Sequence, residues 1–193
     1  MTTMTNHDPR YAYDRTTRLG NLGERIFMDV LTKSNACVVD EQTDIKIQYQ
    51  GIDHVVEIVF DIYLEKFIGK RIFTTDVKYD KKSSETGNIV YELKSSKNSV
   101  GWFYKENVDT FTHVLPDKGE MIIVKAPEMR KYYAENKDDK DIFIHPLGHD
   151  GPTRSGNLKR TILTCIPIKI LKEQDFTLTT KFDKEKYNGK SRS

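Results

Sequence analysis

The chain has 193 residues, of which 37% are hydrophobic and 31% charged, with a formal net charge of +2. That length buries one good core and leaves little for a second domain. A total charge so near zero says nothing about a polyanionic partner, so charge placement has to carry that argument.

Met1 to Arg15 is polar and has no apolar core, unlike a secretory leader. The longest apolar stretch, Val55 to Leu64, is broken by Glu57 and Asp61 and is too short to span a bilayer. The two cysteines, Cys37 and Cys165, lack metal-type spacing and read as reduced thiols. The expectation is a soluble protein with no membrane partner, cytoplasmic in its producing cell or, for a virus-encoded chain, in the host.

In chain order, residues 1–15 read as a flexible arm. A helix follows over about Asn21 to Thr32, with Leu22, Ile26, Phe27 and Val30 as its apolar stripe. The pattern then changes to period two. Ile45 to Tyr49 and Val55 to Leu64 read as strands joined across Gln50-Gly51-Ile52-Asp53. Gly69 separates the second from a third strand, Arg71 to Tyr79. Lys81 to Gly87 reads as a polar loop and Asn88 to Lys94 as a fourth strand, with a short helix over Lys105 to Asp109. Phe111 to Leu115 and Met121 to Lys125 flank a Pro-Asp-Lys-Gly turn.

Pro127 suits a helix start, continued by Met129 to Asn136. Asp138 to Lys159 reads as a long loop. Ile162 to Leu171 is a last strand, which Pro167 marks as edge or bulged. One domain, residues 16–171, is expected between the arm and a charged, loose tail, residues 172–193. The class is mixed α/β, a central mixed sheet flanked by helices.

Alternation on strands selects the residues that carry chemistry. Phe60, Ile62 and Leu64 share one face and Asp61 takes the other. Thr75, Val77 and Tyr79 share a face, and Asp76 and Lys78 take the opposite one. Adjacent antiparallel strands are therefore expected to gather Asp61, Asp76 and Lys78. Two carboxylates are hard ligands for Mg²⁺ or Mn²⁺, which takes substrate phosphate oxygens and offsets charge on the phosphate under attack. A lysine beside them adds a fixed positive charge. Glu24, at the border of the helix stripe, is a third candidate acid. Its ordinary reading is a first-turn glutamate favoured by the helix dipole.

Glu24 on a leading helix, Asp61 on one strand and Asp76-Val77-Lys78 on the next resemble the PD-(D/E)XK nucleases, over about residues 18–125. Asp76-Val77-Lys78-Tyr79-Asp80, Thr86-Gly87-Asn88-Ile89, Glu92 and Gly101-Trp102 are similar to small nuclease-like proteins of phages and mobile elements. The resemblance implies a restriction-endonuclease-like core and a Mg²⁺-dependent endodeoxyribonuclease. It implies Asp61, Asp76 and the Val77 carbonyl as metal ligands, Glu24 as an auxiliary ligand, and Lys78 as the catalytic lysine. The sequence departs from the usual motif in having no proline before Asp61 and Asp for the commoner Glu at Asp76. A second register stays open, with Asp76 as first acid and Glu92-Leu93-Lys94 as the (D/E)XK element.

Basic and aromatic residues supply a DNA-binding expectation. Arg154, Lys159 and Arg160 sit in a polar loop suited to phosphates. Lys94, Lys97 and Lys105 lie near Trp102 and Tyr104, a mixture that suits stacking on unpaired bases. Two rival readings accompany the nuclease: a noncatalytic DNA- or protein-binding factor on the same fold, and a resolvase-like enzyme for branched DNA, whose symmetric substrate demands a homodimer.

Overall fold

The computed structural model describes residues 9–33, 37–41, 54–62, 67–95, 99–145, 150–152 and 158–188. Helix α1 runs from Pro9–Lys33, so the described part of the expected arm, residues 9–15, is helical, with a proline at the helix's first position where a missing N–H costs nothing. Leu22, Ile26, Phe27, Val30 and Leu31 form its buried stripe, the 3.6-residue spacing of a helix laid on a sheet. Gly23 lets it approach closely: a Cβ there would lie 2.9 Å from the Tyr79 Cβ.

That sheet has six strands in the order β1-β2-β3-β5-β6-β10. β1 (Cys37–Glu41), β2 (His54–Ile62) and β3 (Phe67–Tyr79) form an antiparallel trio. The strand expected at Ile45 to Tyr49 and the turn at residues 50–53 lie outside the described residues. Gly69 is no separator; it sits within β3 opposite Phe60.

β3 then pairs in parallel with β5 (Thr110–Leu115), which requires a crossover. The crossover contains helix α2 (Lys81–Thr86), strand β4 (Asn88–Lys94) and a 3₁₀ turn (Trp102–Tyr104). α2 occupies the expected polar loop. It has no apolar stripe, but Asp80 caps it by accepting from the Ser83 N–H at 3.1 Å and Gly87 closes it at φ 74°. The helix expected over Lys105 to Asp109 is absent.

β5 returns through Pro116–Lys118 to β6 (Glu120–Lys125), antiparallel as expected. Helix α3 (Ala126–Asn136) follows. The expected long loop contains a small hairpin of β7 (Asp150–Pro152) and β8 (Leu158–Arg160). β9 (Ile162–Pro167) pairs with β4 in a separate two-stranded sheet, and Pro167 leads into helix α4 (Ile168–Lys172).

The expected loose tail is folded through residue 188. β10 (Thr177–Lys181) pairs with Glu120 to Val124 of β6, and α5 (Glu185–Asn188) buries Tyr187 against the α1 side.

Two apolar layers enclose the sheet. Val77, Val114 and Met121 meet the α1 stripe on one face. Phe111, Leu115, Ile122 and Val124 meet α3 and the β4–β9 sheet on the other. No described helix is long and apolar enough to cross a membrane.

Candidate functional site

The C-terminal end of β3 divides its side chains between these layers. Val77 enters the α1 layer, while Asp76 and Lys78 face the other side, as alternation requires. Asp76 is 2% exposed, and its carboxylate accepts a hydrogen bond from the Lys78 ammonium. Lys78 remains about a third exposed at its side chain. The pair therefore sits at the rim of the core, with its acid inside and its base reaching outward.

Across the parallel ladder, Phe111 is the register partner of Asp76, and His113 that of Lys78. Both β5 side chains turn to the same layer, where Tyr91 from β4 packs 5.6 Å from Phe111 and 5.4 Å from His113, ring to ring. The Trp102 indole completes the wall, 5.3 Å from Phe111 and 5.4 Å from Tyr91, with the Lys78 Nζ 5.3 Å from its ring centre. The Thr74 carbonyl accepts from the Asp109 N–H, and the Asp80 N–H donates to the Val114 carbonyl. Even-numbered peptide groups of β3 thus point to β5, and the Val77 carbonyl points to the β2 side.

Asp80 and His113 form a second pair below the wall, Oδ2 to Nδ1 at 3.6 Å, with His113 1% exposed. Burial opposes ionisation of Asp80, yet the His113 ring and the Ser83 contacts outweigh it and hold the carboxyl below its ordinary range. Burial, reinforced by the Asp80 charge, pushes the Tyr91 phenol and the Cys165 thiol up.

The expected acid cluster does not assemble. In the β2–β3 ladder Asp61 lies opposite Ile68, eight positions along β3 from Asp76. At a rise of about 3.3 Å per residue this separates their backbones by roughly 26 Å, far beyond the span of one ion. Glu24 is on α1, which covers the Val77 face of β3, whereas Asp76 faces the other layer.

The second register fails to converge for a related reason. Tyr91 is fully buried toward the site, so Glu92 alternates to the opposite face of β4. Between Glu92 and Lys94 the ladder shifts register, Glu92 pairing with Leu163 and Lys94 with Ile162, so the alternation that would set the two on one face is broken.

Of the residues expected to bind DNA, Trp102 belongs to the site wall. Lys159 and Arg160 lie on β8, and Lys97 and Arg154 fall outside the described residues. Among the described residues no three His, Cys, Asp or Glu side chains form a group able to hold a metal ion.

Three residues of this centre were given no role by sequence: Asp80, Tyr91 and His113. Period two carried a signal for His113, which alternates with the core residues Phe111 and Leu115. Asp80 carried one as well, standing three residues before the Ser83 amide it caps. The chain matches no protein-family model, and no curated protein or solved structure is detectably similar to it.

Proposed function

We propose that this chain is a metal-dependent endonuclease acting on DNA, built on a PD-(D/E)XK-type core with Asp76 and Lys78 at its reacting centre. The observation that carries the reading is the buried Asp76 carboxylate beside the partly exposed Lys78 at the end of β3. The element order supports it: a leading helix, an antiparallel trio, then a parallel partner for the motif strand.

Mg²⁺ or Mn²⁺ is commonly held by one or two carboxylates, with waters and phosphate oxygens completing the shell. Asp76 and the β2-facing Val77 carbonyl supply donors of that kind. The ion, when bound, contributes charge that offsets what develops on the scissile phosphate. Lys78 contributes a second positive charge at the rim, where a phosphate arrives from solvent.

The ladder register sets Asp61 at the far end of β3 and the entry of β2, His54 opposite Thr75, one position short of Asp76. Asp53 precedes His54 in the sequence and lies outside the described residues; substitution decides its part.

The test is cleavage of supercoiled, linear, single-stranded and four-way-junction DNA with Mg²⁺, Mn²⁺ or EDTA. Metal-dependent cutting is expected, reduced on the order of 100-fold or more by Asp76→Ala and Lys78→Met. Asp61→Asn is expected to cut like the parent, and Asp53→Asn to fail if it supplies the second acid. No cutting by the parent, with DNA binding intact, overturns the enzyme and leaves a binding factor.

A further inference from the structure

We propose that Trp102, clamped by Arg130, is a positioning residue for Lys78; its catalytic consequence rests on the nuclease reading above. Trp102 is the chain's one tryptophan. Packing against Tyr91 and Phe111 needs only a large apolar ring, but the approach of the Lys78 ammonium to the indole uses the face of its π system. Lysine has a flexible four-carbon stem, and a side chain a third exposed has room to move. Among the described residues the ammonium meets the Asp76 carboxylate and the face of the indole. The indole contact does not depend on that carboxylate, so it holds the charge beside the ring when Asp76 is engaged elsewhere.

The indole is itself held by unusual backbone geometry. The Gly101 N–H donates to the Leu93 carbonyl at 3.0 Å, and a Cβ at Gly101 would run into the Glu92 carbonyl oxygen. The turn therefore lies directly against β4. From α3, Arg130 Nε donates to the Phe103 carbonyl at 2.8 Å and Nη2 donates to the Lys105 carbonyl, while the guanidinium stacks over the Phe111 ring at 5.4 Å. A planar fork can serve two carbonyls and a ring at once, which a lysine ammonium cannot reproduce. The chain of contacts runs from α3 through the turn and the indole to Lys78.

Two measurements test this. Tryptophan emission, excited beyond the tyrosine absorption band, reports on Trp102 alone and needs no DNA. Lys78→Met is expected to shift its emission, and Arg130→Lys to move it toward solvent-exposed wavelengths, with the far-ultraviolet circular dichroism of both unchanged. In single-turnover cleavage, Trp102→Leu is expected to slow the chemical step on the order of tenfold with DNA affinity unchanged, and Trp102→Phe to restore most of the rate.

Unchanged emission in Lys78→Met, or parental cleavage by Trp102→Leu, overturns the proposal. Should Trp102→Leu fail to fold, the Trp102→Phe rate and the Lys78→Met emission decide it. Absence of cleavage by the parent sinks the nuclease reading, and the emission measurements still decide whether Trp102 holds Lys78.

Discussion

The Tyr187 hydroxyl donates a 2.6 Å hydrogen bond to the Asp29 carboxylate, joining two residues 158 positions apart. Lys186 donates to the same oxygen at 2.8 Å. The last described helix is thereby tied to the first. Tyr187→Phe is expected to cost about 1 kcal/mol in urea denaturation and to speed proteolysis near the C-terminus.

The Lys186 hydrogen bond, followed by that of Tyr187, holds the Asp29 carboxyl below its ordinary 3.8. Its contribution is therefore complete above that value and fades as pH falls from 3.8 through the lower folded value. Asp29→Asn should flatten this part of the acid limb, and an unaltered acid limb would count against the tie.

Asp80 serves two elements, capping α2 and facing the buried His113. Asp80→Ala is expected to cost about 1–2 kcal/mol through the cap alone, with more if His113 loses a favourable neighbour. Since the folded carboxyl titrates below its ordinary 3.8, its share of stability is present above 3.8 and lost as pH falls through the folded value. Urea titrations of parent and variant between neutral and strongly acid pH would converge at the acid end. Parallel curves would refute the assignment.

Gly101 is where backbone meets backbone. Gly101→Ala forces the turn away from Glu92 and is expected to cost about 1–3 kcal/mol, accompanied by a shift in Trp102 emission. Calorimetry showing a parental melting temperature would mean that the close approach is not maintained in solution.

The opposed faces of Val77 and the Asp76–Lys78 pair were legible because period two is geometric and needs no partner strand. The α1 stripe and the β5–β6 hairpin were legible for similar local reasons. Register was not. β2 and β3 both alternate along their lengths, so many offsets satisfy the pattern, and Gly69 looks like a turn although the ladder runs through it.

α2 escaped notice because Lys81–Thr86 has almost no apolar content and depends on its caps. The folded tail escaped because its charges are conspicuous. Its anchors are few: Phe176, Phe182 and Tyr187 carry the packing.

The pairing of β4 with β9 joins Ile89 to Ile166. During synthesis the Asp76-Val77-Lys78 triplet leaves the ribosome early, and so does Tyr91. The strand that backs Tyr91 emerges much later, after a long loop must be closed. A product terminated before β9 would carry the motif without its finished aromatic wall. The arrangement delays completion of the wall beside Asp76 and Lys78 until β9 has been made.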